Sequence, residues 1–227
     1  MTPELLSAVR ARAGDFNREV GGVFIITQPN VAEFFPCKNT AERADIFSPC
    51  YADTMAAEDR GPLVGYVHTH NGSCEPSQTD LEFCARSRRP WWIVSQTGFR
   101  RVNPGMKLEG RQFAWGVQDC YTLIMDWYAA SGVVLPDFVR EKDFWLRGED
   151  PYMDGLKTAG FSVVDAEPDL GDGVLMSIRS RNAIPNHGAV HIGDTRIIHH
   201  LPNRLSMVEL YDDTYRWFTS AVVRRSV

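Results

Sequence analysis

The chain has 227 residues, 44% of them hydrophobic, and a formal net charge of −5. This length fits one large or two small globular domains with a sizeable core, and the negative balance argues against a general nucleic-acid binder, the cluster Arg86-Ser87-Arg88-Arg89 being too short to reverse it. The first residues, MTPELLSAVRARAG, lack an apolar run of signal-peptide length and no stretch could span a bilayer, so synthesis in the cytoplasm without a cleaved signal is expected, while five cysteines, an odd number, suggest free thiols.

In chain order, Thr2 to Ala13 reads as a short helix with Thr2 as cap, Pro3 in the first turn, and Leu5, Leu6 and Val9 on one face. Glu19 to Ile26 reads as a strand, with Val31 to Phe35 as its hairpin partner across Gln28-Pro29-Asn30. Asp45 to Tyr51 fits no single pattern, and Ala52 to Arg60 reads as helix. Leu63 to Val67 is a buried strand that delivers His68-Thr69-His70 at its end, and Asn71 to Pro76 is a loop. Ser77-Gln78-Thr79-Asp80 caps a further helix, and Trp91 to Val94 is another strand. Arg101-Val102-Asn103-Pro104-Gly105 breaks the pattern. It predicts a linker over residues 102–109, between a domain at 1–101 and a second at 110–227.

The second domain opens with GRQFAWGVQDCYTLIMDWY. Asp119 is a predicted N-cap, Gly132 a C-terminal stop, and Leu123, Ile124, Trp127 and Tyr128 make one apolar face. Cys120 then lies in the first turn, where free N–H groups and the helix dipole favour a thiolate over the ordinary pKa of about 8.5. Leu135-Pro136-Asp137-Phe138, Phe144-Trp145 and Tyr152-Met153 read as a helical cover. Leu170 to Ile178 is a turn feeding a strand, and Asn186 to Asp194 runs as a strand into a Gly-Asp turn. Arg196 to His200 returns as the hairpin partner. Arg204-Leu205-Ser206 and Arg216-Trp217-Phe218 fall in closing strands, with Val222-Val223-Arg224 in the last.

Two constellations carry chemistry. A nucleophilic cysteine needs a base, and the base needs an orienting group. His187 and His199 lie near the outer ends of adjacent strands, and strand register decides whether His199 or His200 points inward. In the first domain, His68 and His70 at i and i+2 on a strand end share a face. Asp80, in the first turn of the next helix, can close a three-ligand set that leaves a fourth position for water, the open geometry of a catalytic zinc site. Glu19 is a candidate general base there, and Cys74 is a competing soft ligand.

HTH followed by SxxD, with an upstream ExxG before an apolar strand, resembles the JAMM motif of the JAB1/MPN metallopeptidases. The resemblance implies His68, His70 and Asp80 as zinc ligands, one zinc per chain, Glu19 as base, and Ser77 as a hydrogen-bond donor to the tetrahedral intermediate. Asn71 stands where that family usually has proline, and the loop from His70 to Ser77 is one residue short. GRxFxxGxxDCY, NHxAVxxGD and IIHH resemble the NlpC/P60 cysteine peptidases, which implies Cys120 as nucleophile, His187 as base and His199 as orienter. Together the resemblances imply an α+β chain: a JAB1/MPN-like α/β domain with a mixed sheet, then a papain-like NlpC/P60 α+β domain with an antiparallel sheet.

A JAMM-like half followed by an NlpC/P60-like half, with DCYTL, LPDF, PNH, IIHH and RLS, is similar to the tail-tip assembly family of lambda-type siphophages. That similarity implies a late phage protein whose partners are tail-tip proteins. Its implied substrate is the peptidoglycan stem peptide, cut between γ-D-glutamyl and a diamino acid. Three readings stay open on sequence: a tail-borne wall endopeptidase, a protease that processes a tail-tip partner, and a structural assembly factor with relic sites.

Overall fold

Residues 1–226 are described by a computed structural model. They divide into two compact units. The first holds Met1–Met106, Ala114–Val117 and Asp137–Val139; the second holds Lys107–Phe113, Gln118–Pro136 and the chain from Arg140 onward.

In the first unit the Thr2 hydroxyl accepts from the Leu5 N–H at 3.3 Å and starts α1 (Pro3–Ala13). Strands β1 (Gly21–Gln28) and β2 (Val31–Cys37) form a hairpin. Helix α2 (Tyr51–Glu58) precedes β3 (Leu63–Thr69), and α3 (Gln78–Ser87) carries the chain from β3 to the parallel β4 (Trp91–Val94). With β5 (Phe99–Val102) the sheet order is β2-β1-β3-β4-β5, and only the β3–β4 pair is parallel. Alternation along the strands separates two cores. Phe24, Val67 and Trp92 pack with Leu5, Leu6 and Val9 of α1. Val23, Ile25 and Trp91 pack with Ala57 of α2 and Cys84 of α3.

In the second unit Asp119 and Thr122 form a reciprocal capping box at the start of α4 (Cys120–Ala129). The sheet contains β6 (Phe161–Val164), β7 (Gly173–Met176), β8 (His187–His191), β9 (Arg196–His199), β10 (Met207–Leu210) and β11 (Thr219–Arg225). Its order is β10-β9-β8-β7-β11-β6, antiparallel throughout. Helix α4 packs on β8 and β9. Gly188 permits that approach: a Cβ there would lie 2.7 Å from Ile124 Cδ1.

The fold is therefore α+β, with one mixed and one antiparallel sheet. Three local readings of the sequence differ from it. The helical cover after α4 is largely irregular, with only a 3-10 turn at Phe144–Arg147 and the short α5 (Pro151–Gly155). Pro136 removes a donor and disfavours helix before it, and the Pro136 carbonyl is taken by the Tyr121 hydroxyl at 2.6 Å. Arg216-Trp217-Phe218 lies in α6 (Asp213–Phe218), not in a strand, because Asp212 accepts from the N–H groups of Thr214 and Tyr215 and outweighs the β-propensity of the aromatics. Arg204-Leu205-Ser206 is a bend and irregular chain leading into β10.

Gly21 faces His68 across β1 and β3, and a Cβ there would meet the Val67 carbonyl oxygen at 2.1 Å and His68 Cα at 2.8 Å. Gly21→Ala is expected to destabilise the chain by about 1–3 kcal/mol through forced strand separation. Gly98→Ala, whose Cβ would meet only Cys74 Sγ at 3.7 Å, is expected to change stability by less than about 0.5 kcal/mol. Chemical denaturation of the two variants measures the difference.

Candidate functional site

The first unit gathers four groups. His68 and His70 leave the end of β3 on one face, and their Nε2 atoms lie 3.0 Å apart. Asp80, at the third position of α3, meets His68 Nε2 through Oδ1 at 3.1 Å and His70 Nε2 through Oδ2 at 3.3 Å. Glu19 approaches the same two nitrogens at 3.9 Å and 3.3 Å. Its backbone carbonyl is tied by the Asn39 amide at 2.8 Å, and the next N–H, of Val20, donates to the Thr69 hydroxyl. His68 is fully buried, stacked on Phe47 and edge-on to Trp91. Ser77 caps α3, and its hydroxyl donates to Asp80 Oδ2 at 2.7 Å.

These residues fit a tetrahedral metal. Two imidazoles bound to one zinc at about 2.0–2.1 Å sit roughly 3.3 Å apart, close to the separation found here. Among the described residues, ligand atoms of Glu19, His68 and His70 lie within 4.8 Å of one another, and Asp80 touches both imidazoles. Glu19 Oε2 is buried beside them with no hydrogen-bond partner, an acceptor open to a water at the fourth position. Burial pushes the Glu19 carboxyl up to about 7, partly opposed by His70. Burial also works against an ionised Asp80, but the hydrogen bonds from His68 and His70 and the charge of His68 hold it well below the usual carboxylate range. Cys74 lies in the loop before α3, with Sγ beside Gly98.

The second unit builds its site on the first turn of α4 and the ends of β8 and β9. Cys120 is buried, and its Sγ lies 3.1 Å from the Tyr152 hydroxyl. The Gly188 N–H also favours the thiolate, which puts the sulfur beside the backbone next to His187. His187 Nε2 lies 3.1 Å from His199 Nδ1, and His199 Nε2 lies 2.7 Å from Glu209 Oε2. Register explains the pairing. Ala189 stands opposite His199, so His187, two residues from Ala189, shares its face. His200 points the other way, buried edge-on against Phe113. Glu209 in turn accepts from the Tyr215 hydroxyl at 2.6 Å and from Arg204 at 3.0 Å.

The resting charges differ from the sequence expectation. Burial and the neighbouring Asp119 carboxylate push the Cys120 thiol up to about 11, against smaller help from Tyr152 and Gly188. Burial is the main reason the helix start does not give a thiolate, and Asp119 adds to it: the residue that caps α4 also sets a buried anion beside the sulfur. Burial, with His199 and His200 nearby, holds His187 well below 6.5. Both groups, the thiol and the His187 imidazole, thus rest neutral. Tyr152 and Glu209 were not singled out from sequence. Tyr152 sits in the short α5, a five-residue helix too short to show a periodicity in the sequence. Glu209 is diagonal to His199 across β9 and β10, a relation visible only once Met207 is known to pair with His199.

Residues 110–224 match the NlpC/P60 family, and residues 2–109 match the prokaryotic homologs of the JAB domain. The chain is 37% identical to the tail tip assembly protein K of Escherichia phage lambda over 174 residues, 76% of this chain and 86% of that protein. It is 30% identical to the tail tip assembly protein K of Escherichia phage N15 over 234 residues, 99% of this chain and 95% of that protein. A crystal structure of an NlpC/P60 family protein from Bacillus cereus gives a TM-score of 0.37 at 12% identity, covering 95% of this chain and 66% of that one, too slight a likeness to bear on the fold. The chain belongs to the NlpC/P60 family and, over nearly its whole length, to the family of these phage tail tip assembly proteins. No helix among the described residues is long and apolar enough to cross a membrane.

Because the native fold favours the protonated thiol, alkylation of Cys120 by iodoacetamide is expected to keep rising with pH toward about 11. The Tyr152 hydroxyl stabilises the thiolate, so Tyr152→Phe should move the midpoint further up. Site-resolved mass spectrometry across pH measures both. A plateau already reached near the ordinary thiol value of about 8.5 would contradict the neutral ground state.

Proposed function

We propose that the chain acts in phage tail-tip assembly and carries a cysteine endopeptidase, directed at the peptidoglycan stem peptide, in residues 110–227. Tail-tip proteins are its partners by the names of its relatives. The observation that supports the enzymatic reading is the hydrogen-bonded run His187–His199–Glu209, with the Cys120 sulfur beside the backbone of Gly188, the residue after His187. In this reading Cys120 is the nucleophile. His187, neutral at physiological pH because it is buried, takes the thiol proton as sulfur attacks the scissile carbonyl. The same proton goes to the leaving amine, and a water hydrolyses the acyl-enzyme. His199 holds the His187 ring in place. The γ-D-glutamyl–diamino acid bond is the family's usual target and follows from that resemblance.

In residues 1–101, joined to the peptidase by a linker at 102–109, the groups that would hold a zinc ion are His68, His70 and Asp80. Bound there, zinc would supply a Lewis acid for hydrolysis. Glu19 is the proton-holding group: its carboxyl is raised to about 7 by burial and lies beside both histidines. Ser77 spends its hydroxyl hydrogen on Asp80 in this state, so it orients that ligand, and it can donate to substrate only by turning away from it. Cleavage of a tail-tip partner is the competing use of either site.

Purified stem peptides are expected to be cut by the full chain with a chelator present, and Cys120→Ser is expected to reduce cleavage by about a thousandfold or more. Loss of cleavage on chelation, with Cys120→Ser still active, would assign the work to the first unit instead. Particles carrying Cys120→Ser are expected to assemble tails and adsorb normally but to deliver DNA less efficiently; missing tails would favour the processing reading.

Elemental analysis is expected to find about one zinc per chain, lost in His68→Ala and kept in Glu19→Gln. Absence of zinc from protein purified without chelators would overturn the ligand assignment.

A further inference from the structure

The polar chain behind His187 does not end at His199. Glu209 lies on β10, an edge strand, and its carboxylate receives three neighbours: His199 Nε2 at 2.7 Å, the Tyr215 hydroxyl at 2.6 Å and Arg204 at 3.0 Å. An ionised carboxylate only accepts hydrogen bonds. The hydroxyl and the guanidinium both donate to it, which keeps it ionised and fixes the direction of the third contact. The hydrogen between His199 and Glu209 therefore sits on His199 Nε2.

A neutral imidazole carries one ring hydrogen. With that hydrogen on Nε2, His199 Nδ1 is bare and accepts. The atom facing it at 3.1 Å is His187 Nε2, which must be the donor. His187 then has its own hydrogen on Nε2 and a bare Nδ1. We propose that Glu209 is a positioning residue of the cysteine site, which acts through His199 to fix the tautomer in which His187 Nδ1 is the basic atom. The inference rests on the reading of Cys120 and His187 as nucleophile and base. Burial keeps His199 below its ordinary value even though Glu209 pulls it upward, in line with a neutral ring. A doubly protonated His199 would reverse the order, with His187 Nε2 accepting and Nδ1 carrying the hydrogen, and the base would be lost.

The arrangement differs from a simple ion pair in what it predicts for substitutions. Glu209→Leu removes the acceptor and frees both rings to exchange tautomers. Glu209→Gln keeps a carbonyl oxygen that can accept the same hydrogen. Tyr215→Phe and Arg204→Met leave the His199–Glu209 contact itself in place.

The test uses the full chain with all six histidines nitrogen-15 labelled. At neutral pH the wild-type spectrum is expected to show His187 and His199 as Nε2–H tautomers with bare Nδ1. Glu209→Leu should shift both toward a tautomer mixture and slow Cys120 alkylation about tenfold or more, since a misplaced tautomer disables a base without removing it. Glu209→Gln should recover alkylation to within about threefold of wild type and restore the wild-type tautomers. A wild-type Nδ1–H on either ring would overturn the proposal directly. So would Glu209→Leu labelling at the wild-type rate while His187→Ala is slow. If His187→Ala labels as fast as wild type, the nucleophile–base reading fails instead, and the tautomer spectrum still decides what Glu209 does. Should Glu209→Leu not fold, the wild-type spectrum and Glu209→Gln give the answer.

Discussion

The close approach of α4 to β8 at Gly188 is the constraint on which the thiol site depends. A Cβ there would meet Ile124 Cδ1 at 2.7 Å, so the Ile124 side chain would have to move. Because the space is empty, the first turn of α4 comes down beside the residue that follows His187, and a helix and a strand far apart in sequence share one small volume. The first unit uses the same device between strands. Gly21 lets β1 close onto His68, and Glu19, two residues earlier, arrives beside both histidines as a consequence. In each unit a glycine lets neighbouring elements close on the candidate site, which ties its geometry to the sheet.

Burial then sets the charges. Taking a thiol and an imidazole out of water favours their neutral forms, and the Asp119 cap adds a negative field beside the sulfur, so Cys120 and His187 rest uncharged. Asp119 is itself buried and stays ionised through the two-pronged contact with Arg140, at 2.7 and 3.0 Å. The same logic separates the two carboxylates of the first unit. Asp80 is surrounded by donors and remains an anion, whereas Glu19 has one oxygen with no partner and is pushed toward the neutral form. Two acids in one cluster with opposed environments are the pattern expected where one group ligates and the other handles a proton.

Much of the architecture was legible in the sequence. The Thr2 and Ser77 caps, the hairpin at residues 28–31 and the apolar strands at residues 63–67 and 91–94 each carry a local signal that tertiary packing did not override. The misread segments share a cause. The stretch from Leu135 to Met153 is held by contacts to distant parts of the chain, such as Tyr121 to Pro136, and has no period of its own. The helix at Asp213–Phe218 was hidden by aromatics that favour strands when no cap is recognised.

By itself the sequence determined where the candidate residues for chemistry lie: a cysteine opening a capped helix, two histidines at one strand end, an aspartate in the first turn of the next helix. These follow from local rules, since caps act over three residues and strands alternate every two. Only the tertiary structure decided that His199 and not His200 meets His187, that Glu209 stands behind it, and that Tyr152 touches the sulfur. Those facts depend on the register of β8, β9 and β10 and on where the short α5 is placed, and both are fixed by long-range pairing and packing that no local pattern contains.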